Sequence, residues 1–187
     1  MSARTEQAAE LFMEGFNCSQ SVFAAYADLF GMDKETALRV SASFGGGIGR
    51  MREVCGAASG MFLIAGMLTG SIEGKDQTAK KNNYEVVQRL AAAFQKENGG
   101  TYICRELLGM HKDGTTPEPR TEEYYKKRPC LKTIQGAAEL VERMLLEGLV
   151  ETDAAGEEHL RTDVNYTEFI LERTKPLEVA EQAVCQK

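Results

Sequence analysis

The sequence predicts an all-α protein: a helical bundle of about six helices around a central Gly/Ala-rich helix, followed by a weakly structured acidic C-terminal tail. Three observations predict it. Apolar residues recur at helical spacing in successive segments, most of them opened by a cap residue and closed by glycine. The most apolar stretch, within Phe44 to Gly70 (FGGGIGRMREVCGAASGMFLIAGMLTG), is kept slim by Gly56, Ala57, Ala58, Gly60, Ala65 and Gly66, so other helices can approach its backbone. Met61, Phe62, Leu63, Ile64, Met67 and Leu68 fill the space around it. Its uninterrupted apolar part falls short of the ~20 residues needed to cross a bilayer, so it reads as a core helix. Finally, 187 residues bury a sizeable core without disulfide support.

In chain order, Ala3 to Glu14 reads as a helix with Ala8, Leu11 and Phe12 on one face, stopped by Gly15. Asn17 caps a second helix, in which Cys18, Val22, Ala25, Tyr26 and Leu29 share a face and Gly31 ends the element. Asp33 begins a third helix running to about Phe44. After the glycine turn and the central helix, Asp76 or Thr78 caps a long helix to about Asn98, with Val87, Leu90, Ala91 and Phe94 as its buried stripe. Thr101 to Leu108 reads as a short helix with Thr101 as N-cap and Cys104 at its third position. His111 to Arg128 is a surface loop of unusual length, with room for one helical turn at Tyr124 and Tyr125. Pro129 starts another helix where its missing N–H costs least, and Cys130, Ile134, Ala137, Ala138, Val141 and Leu145 fall on one face. Beyond Gly148 the pattern weakens: Leu149 to Val164 is a small hairpin or a loop around Gly156, and Tyr166 to Leu171 an amphipathic turn or strand. The expected organisation is a helical four-cysteine domain over residues 1–147 and an acidic appendage over residues 148–187.

The charge distribution narrows the function. The tail from Gly148 carries nine acids against four bases, and the body before it nineteen against eighteen, within a total of −6. No basic stripe with interleaved aromatics is present, so nucleic acid is not an expected partner. The first residues, MSARTEQAAELF, contain no apolar signal region, which makes a reducing, cytoplasmic location the expectation. There, five cysteines are expected to be reactive, metal-binding or buried thiols rather than permanent bridges.

Cys18, Cys55, Cys104 and Cys130 each fall in the first turn of a helix, on its inward face. Four such placements direct helix N-termini toward a shared region, where unpaired N–H groups and positive dipole ends favour thiolate. Arg50 and Arg52 precede Cys55, Arg105 follows Cys104, and Lys126, Lys127, Arg128 and Lys132 surround Cys130, so cations push the same way. The chemistry expected of the four is redox catalysis, with Cys55 the most reactive because it combines a helix N-terminus, two arginines and the glycine turn. The alternative is a soft metal ion or an iron–sulfur cluster held on the same four thiolates. Their intervals of 37, 49 and 26 residues contain no CxxC pair, so any such site is assembled by the fold. The bland alternative is four inert, buried small side chains. Cys185, in the acidic tail, belongs outside the cluster. The turn Gly45, Gly46, Gly47 with Arg50 and Arg52 can present N–H groups and cations to an anion, though it lacks the lysine and hydroxyl of a P-loop. His111 and His159 read as solvated surface residues.

At these residues the sequence resembles the C_GCAxxG_C_C family of redox-active proteins. Cys18 in FNCSQSV, Cys55 in VCGAASG with Gly56, Ala57 and Gly60, Cys104 in ICRELLG and Cys130 in RPCLKTI match its ordered pattern over roughly residues 5 to 147. The resemblance implies a helical bacterial or archaeal protein with a redox role. Three function classes stay open: a thiol redox protein, a soft-metal or iron–sulfur binding module for sensing or delivery, and a helical interaction domain. The expected partner is a redox partner or a small ligand, with a homo-oligomer allowed and membrane insertion not expected.

Overall fold

The computed structural model describes residues 2–110 and 114–175; His111 and Cys185 therefore lie outside the described residues. Among the described residues, eight α-helices precede residue 148: α1 (Ala3–Met13), α2 (Cys18–Ala24), α3 (Lys34–Ser41), α4 (Gly56–Thr69), α5 (Gln77–Glu97), α6 (Cys104–Leu108), α7 (Glu122–Lys127) and α8 (Cys130–Leu140). The protein is mostly helical, as its periodicity predicts. Several caps are those expected: Asn17 for α2, Asp33 for α3 and Asp76 for α5 each accept backbone N–H bonds through their side chains.

The Gly/Ala-rich helix α4 packs against α2, α5 and α8, and α1 lies across α2 and α8. The close α2–α4 contact depends on Gly60, where an added Cβ would meet Val22 Cβ at 2.9 Å and Ser19 O at 3.0 Å. Met61, Ile64, Leu90, Phe94, Ile134 and Phe12 fill the core without solvent exposure beyond 1%. Tyr26 is wholly buried and donates its hydroxyl to Ala138 O at 3.0 Å, satisfying the one polar atom that its burial strands.

Three expectations are corrected. The second helix breaks after Ala24 and resumes as a 3₁₀ turn, Ala27–Phe30, before Gly31 ends it at φ 65°. Thr101 does not cap α6: its Oγ1 accepts the Ile103 N–H at 3.0 Å, and Ile103 bridges to Val54 in extended conformation, so Cys104 becomes the first helical residue. Tyr166 to Leu171 is helical, within α9 (Tyr166–Arg173), because Asn165 caps it and Ile170 turns into the core. Between α8 and α9, a π-helical turn (Val141–Leu146) leads into a hairpin, β1 (Val150–Thr152) with β2 (Glu158–Leu160), paired Val150 to Leu160. Arg4 ties this hairpin to the bundle, bonding Glu158 at 2.8 Å and Asp28 at 2.6 Å. His159 is exposed on β2.

Candidate functional site

The site is built on a backbone of unusual handedness. Gly46, Gly47, Ile48, Gly49 and Arg50 are successively left-handed, with φ of 65°, 73°, 57°, 55° and 67°, and Arg52 follows at 62°. Non-glycine residues pay ~1–2 kcal/mol each for this conformation, and β-branched Ile48 is the least suited of all. Hydrogen bonds offset the cost: Gly49 N–H donates to Ser43 O at 2.7 Å, Arg52 N–H to Gly46 O at 3.3 Å and Glu53 N–H to Gly47 O at 3.1 Å. Gly47 is there because nothing larger fits, since a Cβ would lie 2.7 Å from Cys104 Cβ and 2.8 Å from Arg52 Cα.

The turn delivers residues 52–55 into antiparallel contact with residues 102–105. Cys55 N–H donates to Tyr102 O at 2.8 Å and Cys104 N–H to Glu53 O at 2.7 Å. Two cysteines 49 positions apart thereby reach one wall. The N-termini of α2 and α8 bring the other two, with α2 directly against the start of α4, where a Cβ on Gly56 would lie 3.1 Å from Cys18 Cβ. Cys18 follows Asn17, whose Oδ1 accepts the Ser19 and Gln20 N–H groups at 3.1 Å while the Asn17 N–H donates to Gln20 Oε1 at 3.0 Å. Cys130 opens α8 directly after Pro129.

All four cysteines line one cavity of about 310 Å³, and all four are free thiols. Cys55 and Cys104 are each 7% exposed, whereas Cys18 and Cys130 are half-buried. The segment 114–121 and α7 complete the cavity with Glu118, Arg120 and Tyr124, and Arg50, Arg52 and Arg128 join them. Glu118 takes a 2.6 Å bond from Arg128 and lies 3.7 Å from Arg52 and 3.8 Å from Arg50. Burial works against its charge, yet Arg128, Arg50 and Arg52 hold its carboxyl below the usual range. Arg120 stacks on Phe12 at 4.7 Å and Tyr124 at 4.8 Å, and Arg128 covers Tyr124 at 4.6 Å.

The thiols differ sharply in acidity. Cys130 is brought down to about 7: the Cys18 thiol donates to its sulfur, and Arg128, Arg120 and Arg52 outweigh the opposing effect of burial. Cys18 goes the other way, raised by that same hydrogen bond and by burial, so the pair shares one proton with the negative charge on Cys130. Burial pushes Cys55 up to about 12 against the pull of the Ala57 and Ala58 N–H groups. Cys104 is raised by burial, with an Arg52 hydrogen bond recovering part of the loss.

The family described as "Putative redox-active protein (C_GCAxxG_C_C)" matches residues 16–144, more than half of the sequence and all four cavity cysteines. The chain belongs to that family. No curated protein and no solved structure matches it.

For this C_GCAxxG_C_C protein the most acidic thiol is Cys130, not Cys55. Helix N–H groups face Cys55 as expected, but burial dominates, and the arginines that precede it in sequence point elsewhere. Arg52 bonds Cys104, and Arg50 bonds Gly114 O at 2.8 Å. Sequence neighbours mislead at two more places: Arg105 pairs with Glu53 at 2.6 Å, and Lys126 and Lys127 pair with Glu122 and Glu123 one turn back on an exposed helix face. Gly45 and Gly46 line the cavity beside Arg50 and Arg52, while Gly47 packs behind them against Cys104. Among the described residues no group of three or more His, Cys, Asp or Glu side chains is gathered closely enough to hold a metal ion, and no helix is long and apolar enough to cross a membrane. Sequence reasoning missed Glu118, Arg120 and Tyr124. The signal available was the loop itself, long, proline-flanked and charged (PEPR, 117–120), a type more often functional than ornamental.

Proposed function

We propose that this protein is a dithiol–disulfide redox protein in which Cys130 attacks and Cys18 resolves. One observation carries the reading: within a single cavity, a half-buried thiol is brought down to about 7 by a hydrogen bond donated from a second thiol and by three arginines. An attacking thiol works best with a pKa near ambient pH, because a lower one sacrifices nucleophilicity and a higher one leaves too little thiolate. Cys130 meets that condition, and Cys18 stands where a resolving thiol must.

Cys55 and Cys104 serve on this reading as the buried floor of the site, kept as thiols by desolvation. A soft-metal or iron–sulfur role would require the sulfurs to draw together around the metal, at about 2.3 Å from it for zinc. A reducing, cytoplasmic setting suits the dithiol form. The test is alkylation of the anaerobically reduced protein across pH with peptide mapping, followed by mild oxidation. Cys130 is expected to label first, with a midpoint near 7, and oxidation to join it to Cys18. Uniform midpoints near that of an ordinary thiol, or oxidation linking other cysteines, would reject the assignment.

A further inference from the structure

The thiol cavity carries a charge the rest of the chain does not. Its lining contains four arginines (Arg50, Arg52, Arg120, Arg128) and one carboxylate, Glu118, hence 4 − 1 = +3 before ionisation of Cys130, in a protein of net −6. Arg120 contributes the second observation. Its Nη2 donates to Phe16 O at 3.1 Å, but its buried Nη1 has no hydrogen-bond acceptor among the described residues. A buried guanidinium nitrogen without an acceptor is costly and calls for an explanation. An anion entering the cavity beside it supplies the missing acceptor once the guanidinium shifts slightly toward the opening, and guanidinium geometry suits a carboxylate.

Resting on the dithiol reading above, we infer that the oxidising substrate is a small disulfide bearing carboxylates. The cavity of about 310 Å³ falls in the size range of small-molecule sites, with room for a compact molecule and not for a folded protein. The carboxylate of the substrate lies against Arg120 and its neighbours, and its sulfur faces Cys130. In the first step the Cys130 thiolate attacks one substrate sulfur, an S–S bond forms between enzyme and substrate half, and the other half leaves as RS⁻. In the second, Cys18 gives its proton to that RS⁻ and attacks the Cys130 sulfur, expelling the second half as RS⁻. Two electrons pass from the two cysteines to the substrate disulfide, which ends as one RSH and one RS⁻.

The inference is tested with three small disulfides that differ in charge: dithiodiglycolate (anionic), 2-hydroxyethyl disulfide (neutral) and cystamine (cationic). Each oxidises the anaerobically reduced full chain in a single turnover, with rates normalised to those for mercaptoethanol. The expected result is an advantage of about tenfold or more for the anion over the neutral compound, shrinking as salt is added. In Arg120→Gln the anionic-to-neutral ratio falls, and Arg120→Lys recovers part of it. Equal normalised rates for all three, unaffected by salt, would overturn the anionic substrate while leaving the dithiol reading in place. Failure of every disulfide to join Cys18 to Cys130 would overturn both.

Discussion

Cys55, the N-cap of α4, and Cys130, the first residue of α8, both face the same cavity from a helix N-terminus, yet burial pushes one up to about 12 while the other is brought down to about 7. The helix N–H groups of Ala57 and Ala58 face Cys55, the less acidic of the two, so such groups alone do not make a thiol acidic here. What differs is the company: Cys130 faces Cys18, Arg128, Arg120 and Arg52, whereas Cys55 sits deeper with only the Ala57 and Ala58 N–H groups to oppose desolvation. A helix start yields an acidic thiol here only where guanidinium groups and a donor thiol are added. Helix position selects which sulfurs meet, and the arginines select which of them ionises.

The strongest way to break the comparison is to remove the acidic sulfur. At pH 7 a thiol of pKa 7 is half ionised and one near 9 roughly 1% ionised, so Cys130→Ser is expected to cut the fastest alkylation phase at pH 7 by ~50-fold. If another cysteine keeps the phase at full rate, Cys130 is not the acidic one. Next comes the charge around it. Arg120→Gln combined with Arg128→Gln is expected to move the midpoint of Cys130 labelling upward and to lower its rate at pH 7 by about tenfold. The sign follows from the thiolate being the nucleophile: the cations favour it, and their loss means a higher pH is needed to populate it. An unmoved midpoint in iodoacetamide kinetics would return the credit to the helix N-terminus.

A smaller effect tests the wall behind Cys104. Gly47→Ala places a Cβ against Cys104 at left-handed φ, and is expected to cost ~1–3 kcal/mol, seen as a melting temperature lowered by roughly 3–10 °C. Gly60→Leu, in the close α2–α4 contact, should cost a similar amount by overpacking; unchanged melting of either variant would mean that the neighbours yield easily. The smallest effect sharpens the point about sequence adjacency. Lys127→Ala, three residues from Cys130 but paired outward with Glu123, is expected to leave the Cys130 midpoint where it is, and a clear upward shift in the labelling profile would show that the exposed lysine reaches the cavity.

The helices were legible because their signals are local: the Asn17, Asp33 and Asp76 caps and the apolar stripe of α5 act over a few residues. The meeting of the four cysteines in one cavity was also readable, because first-turn placement on an inward face is a repeated pattern. Their ranking was not. Arg52 belongs to Cys104 and Cys130 only because the chain reverses through a left-handed turn, and Arg120 reaches the site from a loop more than a hundred residues after Cys18. Charge partners at that separation leave no periodic trace. Residues 166–171 elude the pattern for a related reason: a two-turn helix with a single buried anchor, Ile170, has too little periodicity to separate it from a turn or strand.

The left-handed turn at residues 46–50 also bears on the order in which the molecule assembles. A right-handed α-helix can begin from its own neighbours, whereas successive residues of mirror handedness, Ile48 and Arg50 among them, disfavour themselves until contacts from afar hold them. Those contacts are the pairing of residues 52–55 with 102–105 and the Arg50 bond to Gly114 O, both unavailable until the later chain has docked. The cavity wall is therefore expected to form late and to open first. In native-state hydrogen exchange the amides of residues 48–53 should trade their protons through local openings well below the global unfolding free energy, while those of the α4 interior wait for the whole bundle to come apart.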